Sequence, residues 1–224
     1  MRQWLPIALL LVAGSLLLWQ CTGPAVTDDS GGSEITNGKV LALDGTPAQG
    51  ITVTGYPEYY IKGNSSLSGI ISTVTDERGK FELEIDSGHF YNVFIIDSLS
   101  RSGYSAGHVG EKTDLGTVQL DTLSYITGTI QTADTPMAEP YLIVYCLGTP
   151  YRTDLYFNET TFRFDDVPPG SYVFSVALPP KAGCGPDGCD TTIGGSEGIG
   201  VTVGSGIPAV IDTVVNTDSL GVLP

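Results

Sequence analysis

The sequence predicts an all-β protein, two tandem antiparallel β-sandwiches behind an N-terminal signal helix. Three observations predict it. Apolar and polar residues alternate over short runs, the period of a half-buried strand. Glycine (29) and proline (14) are frequent, and no segment past residue 20 carries the apolar period of a helix. One stretch, residues 75–96, also has a partner later in the chain at a constant offset. Phe81 maps onto Phe162, Leu83 onto Phe164, Tyr91 onto Tyr172, Val93 onto Phe174 and Ile95 onto Val176. A repeated spacing of this kind is the mark of a duplicated unit.

Residues 1–20 read as a signal peptide. Arg2 supplies the positive start, and sixteen uncharged residues follow from Trp4 to Trp19. As a helix they would span about 24 Å, short of a hydrocarbon core of ~30 Å. The alternative is an uncleaved anchor. Residues 21–34 begin with Cys21 and continue as a polar tract without apolar periodicity, a flexible tether.

The first sandwich is expected over residues 35–122. Strand one is placed at 38–43 and strand two at 51–54, joined by the Asp44-Gly45-Thr46-Pro47 turn. Residues 55–63 (GYPEYYIKG) are expected to be a loop, and 69–75 a β-branched strand. Then comes a hairpin. Phe81, Leu83 and Ile85 alternate with Lys80, Glu82, Glu84 and Asp86, giving one apolar and one acidic face. Residues 97–114 are expected to be a long polar loop, and 115–120 the closing strand. The second sandwich is expected over 123–215, with a glycine-rich insertion at 181–200 and a tail at 216–224.

The order Gly38-x-Val40, Asp44-Gly45-x-Pro47, Thr75-Asp76-x-x-Gly79-x-Phe81 and Gly88-x-x-Tyr91 resembles the carboxypeptidase regulatory-like domain. That resemblance covers residues 38–95 and implies a transthyretin-like (Ig-like) sandwich without peptidase chemistry, used as an accessory or surface-exposed module. Residues 124–215 look like a diverged copy that keeps Phe162, Pro169-Gly170 and Tyr172 but lacks the Asp-Gly-x-Pro turn. The leader resembles a bacterial lipoprotein signal, although Trp19 and Gln20 replace the small residues usual before the cysteine. The resemblance implies lipidation at Cys21. With Thr22 rather than Asp next, it also implies the outer membrane of a Gram-negative envelope.

The formal charge is −15, and no basic cluster exists to meet a phosphate backbone, so nucleic acid is not an expected partner. The expected partners are the membrane, through the lipid, and an envelope protein or polysaccharide. Gly103-Tyr104-Ser105-Ala106-Gly107 matches the nucleophile-elbow pentapeptide, but no strand is read before it and no helix after it. A serine hydrolase at Ser105 is therefore the third reading, and no catalytic residue is assigned. His89 and His108 are the only histidines and are isolated, so no metal site and no cofactor are expected. Cys184 and Cys189 bracket a Pro186-Asp187-Gly188 turn and would form a disulfide outside the cytoplasm. Closing so short a loop would stabilise by about 2 kcal/mol. Cys146 falls on the apolar face of a strand and reads as a buried thiol, at the position of Val53. Tyr56, Tyr59 and Tyr60 are candidate ligand contacts, with Tyr151 and Tyr156 as a second cluster. Exposed rings there would stack on sugars or anchor a protein partner, and the alternative is that some of them cap a sandwich.

The leading reading is a non-enzymatic, lipid-anchored envelope protein serving display, adhesion or assembly. The alternative is a polysaccharide-binding module using the tyrosine loop.

Overall fold

The computed structural model describes residues 33–64, 69–132, 141–156, 158–179, 198–216 and 220. The signal segment, Cys21, most of the tether, the Cys184/Cys189 pair and most of the tail lie outside the described residues.

The described chain is all-β, with strands sorted into two sandwiches. The first contains β1 (Ser33–Leu41), β2 (Thr52–Pro57), β3 (Ile71–Val74), β4 (Lys80–Asp86), β5 (Tyr91–Asp97), β6 (Ser102–Val109), β7 (Asp114–Gln119) and the short β8 (Asp121–Thr122). The second contains β9 (Ser124–Thr132), β10 (Tyr141–Cys146), β11 (Arg152–Tyr156), β12 (Thr161–Val167), β13 (Gly170–Ala177), β14 (Ile199–Val203) and β15 (Ala209–Val215).

The duplication seen in the residues extends to the topology. One sheet runs β4-β1-β7 and its counterpart β12-β9-β15. The facing sheets run β3-β2-β5-β6-β8 and β11-β10-β13-β14. Neighbours are antiparallel except that β7 lies parallel to β1 and β15 parallel to β9. Each sandwich thus closes by laying its last long strand beside its first.

Alternation places the cores. β4 buries Phe81, Leu83 and Ile85 and exposes the acidic face between them. Val40, Val53, Tyr91, Val93, Ile95 and Leu120 complete one core, while Ile126, Val144, Phe162, Phe164, Phe174 and Val176 dominate the other. Both copies oppose an aromatic ring and a glycine across strands. Phe81 pairs with Gly38, and Phe162 with Gly128. A Cβ on either glycine would lie 2.8 Å from the ring, and on Gly128 it would also collide with the Ile211 carbonyl.

Several boundaries differ from expectation. Ser33 and Glu34, expected in the tether, pair with Asp86 and Ile85 because β4 is long enough to give β1 partners there. The expected loop at 55–63 begins as strand, since β2 continues to Pro57 against Tyr91. Residues 97–114 are not one loop. They contain β6, which hydrogen-bonds along β5 with a bulge near Asn92. Its glycines and serines hide it from a hydropathy pattern, but Gly103 is needed because a Cβ would strike Leu123 and the Ile95 carbonyl. Residues 199 and 200, expected in the insertion, open β14.

Candidate functional site

Several of the residues singled out in the sequence, Tyr56, Tyr60, Ser105, Tyr151 and Tyr172 among them, meet at the junction between the sandwiches. Three pieces of the first sandwich build it. The first is the strap that follows β2. Pro57 ends the strand, and its carbonyl accepts the Tyr60 N–H at 2.8 Å. The next residue, Ile61, is only 2% exposed and packs with Ile143, Tyr145 and Ala177 on the outer face of β10 and β13. Ile61 also bridges to Thr149, Gly148 donates its N–H to the Tyr60 carbonyl at 2.8 Å, and Arg152 donates to the Lys62 carbonyl at 2.9 Å.

The second piece is β5. Its residues alternate, so Val93 and Ile95 enter the first core while Asn92 and Phe94 face the other way. Phe94 is 4% exposed and belongs to the core of the second sandwich, edge-on to Tyr151. Asn92 donates from Nδ2 to the Gly148 carbonyl at 3.0 Å. Gly148 has φ of +68°, and any Cβ there would run into the Asn92 amide, so only glycine fits.

The third piece is β6. Ser105 Oγ donates to the Pro169 carbonyl at 2.9 Å. The Tyr172 hydroxyl donates to the Pro168 carbonyl at 2.6 Å and lies 3.3 Å from Ser105 Oγ. Tyr172 thus pins the β12–β13 corner, as tyrosine corners do in sandwich folds. Its counterpart Tyr91 donates instead to the Asp86 carboxylate at 3.2 Å. Burial, the adjacent Asp86 charge and that hydrogen bond push the Tyr91 phenol up to about 12. Burial raises Tyr151 and Tyr172 as well.

A groove of about 270 Å³ remains between the sandwiches, lined by Glu58, Asn92, Phe94, Ser105, Ser171 and Tyr172 among others. Most of its polar side chains already hold partners: Asn92, Ser105, Thr149 and Tyr172 donate to backbone carbonyls. His108 Nδ1 sits 2.7 Å from Glu58 Oε1, and its ring stacks on Phe90 at 3.9 Å. Ser105 lies within a strand, not at a strand-to-helix turn, and its partners are a carbonyl and a phenol, neither of which activates a nucleophile. His89 sits in the β4–β5 turn, its N–H on the Asp86 carbonyl. Among the described residues no group of three His, Cys, Asp or Glu side chains is placed to hold a metal ion.

Of the three loop tyrosines, Tyr59 presents its ring to solvent at 47% exposure. Tyr60 is buried, and Tyr56 lies 5.2 Å from Tyr60 and 5.6 Å from Phe94 at the junction. Tyr151 is buried with its hydroxyl on the Asp166 carbonyl, whereas Tyr156 is exposed beside Tyr141. Cys146 is buried and free, and burial pushes its thiol up to about 12. By strand register it occupies the place of Gly55, opposite Phe174, while Val144 takes that of Val53. Cys146 therefore lies two residues beyond the place of Val53 expected for it, and its side chain still points inward.

No family model matches the chain, and no curated protein matches it. Among solved structures it is similar to the minor pilin of Streptococcus agalactiae, at 10% identity over 81% of this chain and 95% of that one, with a TM-score of 0.32. A streptococcal ancillary pilin gives 11% identity over 81% and 62%, with a TM-score of 0.33. A shaft pilin variant from Lactobacillus rhamnosus GG gives 9% over 81% and 98%, with a TM-score of 0.29. Likenesses of this degree carry no argument about function.

Proposed function

We propose that the chain is a non-enzymatic, lipid-anchored cell-envelope protein whose two sandwiches act as one stiff module for display, adhesion or assembly. The observation that carries this reading is Phe94, which leaves the first sandwich and fills the core of the second. Together with the Ile61 strap it fixes the angle between the two units, which a spacer or presenting module needs and a pair of independent beads lacks. The groups in the G-x-S-x-G motif and the aromatic loop serve that junction. A stacking platform on Tyr56 and Tyr60 would need both rings free.

The leader, Cys21 and the polar tract after it support anchoring by lipid, with the outer membrane as the address. The pattern at residues 38–95 supports a carboxypeptidase regulatory-like module, and the shared strand order supports a diverged second copy. Several acyl chains, at ~0.8 kcal/mol per buried methylene, would hold the protein firmly. The test is partition of the full-length protein between membrane and soluble fractions, with and without Cys21→Ser or globomycin. Either treatment should raise the apparent mass by retaining the leader, and Cys21→Ser should also remove palmitate labelling, which globomycin spares because it blocks cleavage after the diacylglyceryl group is attached. Unchanged size and labelling would sink the anchor.

A further inference from the structure

Among the described residues, the sheet edges are not equally guarded. An unpaired edge offers a row of backbone donors and acceptors, and proteins blunt such edges with charge, bulges, glycine or short length. β3 has four residues and β8 two. β4 exposes Lys80, Glu82, Glu84 and Asp86. The pairing of β7 to β1 shifts register, and Gly116 breaks the strand with φ of +66°. β11 carries the Arg152–Asp154 ion pair, β12 the Arg163–Asp165 pair and a register shift, and β14 contains Gly200.

β15 keeps only one of these defences, the single charge of Asp212. Its seven residues, AVIDTVV, run in unbroken register beside β9 from Ala209–Ile126 to Val215–Thr132. Ala209, Ile211 and Val215 are buried, while Val210 and Val214 point outward, 67% and 64% exposed, with Asp212 between them. Such a segment, rich in β-branched residues with a single charge, is a template for a further strand.

We propose that β15 is a docking edge that takes an extended strand from a partner protein, with apolar–basic–apolar side chains on its outward face. The basic residue would lie across from Asp212 and the apolar ones across from Val210 and Val214, as cross-strand pairing requires. A second copy of this chain fits poorly. Antiparallel pairing of two β15 strands that matches Val210 to Val214 must set Asp212 against its own copy. Two chains of charge −15 also repel each other. A basic strand meets the opposite sign at both scales. The inference deepens the assembly reading above and rests on it for the existence of a partner, but its test is independent of the lipid.

The full-length protein in detergent micelles would be titrated with a synthetic peptide, Thr-Val-Thr-Lys-Thr-Val-Thr, and with the same peptide carrying Glu for Lys. Amide hydrogen exchange and fluorescence anisotropy would be read. The Lys peptide should slow exchange across residues 209–215 and bind about fivefold tighter than the Glu peptide. Asp212→Lys should reverse that preference. Val210→Lys with Val214→Lys should abolish binding without lowering the melting temperature, since both side chains face solvent. Three results would overturn the proposal. One is unchanged exchange at millimolar peptide. Another is equal affinity for both peptides in the wild type and in Asp212→Lys. The third is concentration-dependent dimerisation lost in the double-Lys variant, which would make a second copy the occupant. Failure of the Cys21 test would leave these outcomes untouched.

Discussion

The Phe94 ring meets the Tyr151 ring edge-on, centroids 6.1 Å apart, although the two residues belong to different sandwiches. Edge-to-face pairs of this kind add roughly 1 kcal/mol beyond the area they bury. Phe94→Ala should therefore cost about 3 to 5 kcal/mol and open a hole in the second core. Equilibrium urea unfolding, followed by tyrosine fluorescence and far-UV circular dichroism, should show one transition in the wild type and two in the variant. A single unshifted transition would mean the sandwiches do not share this contact.

The strap makes a sharper distinction. Ile61→Ala should destabilise by about 2 to 5 kcal/mol, and Tyr60→Ala similarly, because both side chains are buried. Tyr59→Ala, at an exposed position one residue earlier, should stay within ~0.5 kcal/mol. Thermal melts of the three variants decide it. Equal effects at Tyr59 and Tyr60 would contradict the placement of the strap.

The glycines facing the duplicated phenylalanines should differ. Gly38→Ala presses only on the Phe81 ring and the Leu115 side chain, which can shift. Gly128→Ala presses on the Ile211 backbone as well and would push β15 away from β9. Overpacking of this sort costs about 1 to 3 kcal/mol. The loss should be larger at Gly128, with faster amide exchange in residues 209–215. The reverse order of stabilities would refute this comparison.

Alkaline stability follows from the raised phenol and thiol. Tyr91 and Cys146 hold their protons to about 12 in the folded protein. Unfolded, they ionise near ~10 and ~8.5. The folded state therefore binds more protons over that interval. The stability these groups contribute is complete below their unfolded values and is lost as pH rises through about 12. Urea midpoints should hold to about pH 8 and then fall. Labelling with N-ethylmaleimide, mapped by mass spectrometry, should spare Cys146 until denaturant is added. Prompt labelling of Cys146 in native protein would show that the thiol is not enclosed.

The parts of the fold legible in the sequence were those set by a face. Phe81, Leu83 and Ile85 announced β4 because every second residue is apolar, and the Phe162–Phe164 copy did the same for β12. The constant offset between the copies identified ten side chains, and all ten are buried. β6 was not legible. Its glycines and serines carry no apolar stripe, and what holds it is the backbone ladder to β5 together with contacts from Pro168 and Leu123. The junction was hidden for a different reason. Phe94 reads as one more apolar residue in YNVFII, and Tyr56 and Tyr60 read as polar-tipped rings on a loop. Nothing local says that a neighbouring sandwich, whose residues 141–177 come much later, will cover them. The one available signal was Phe94 itself, an aromatic at an outward position of a strand whose inward face was already full.

The parallel placement of β1 against β7, and of β9 against β15, has a mechanical consequence. A pull that separates the two ends of either sandwich slides those strands lengthwise past each other, so the rungs between them are loaded together instead of peeling one by one. Resistance to such a pull is set by the rate of crossing the unfolding barrier rather than by the resting free energy. Pulled in this way, the chain should fail abruptly, one sandwich at a time, once the Phe94 wedge is withdrawn.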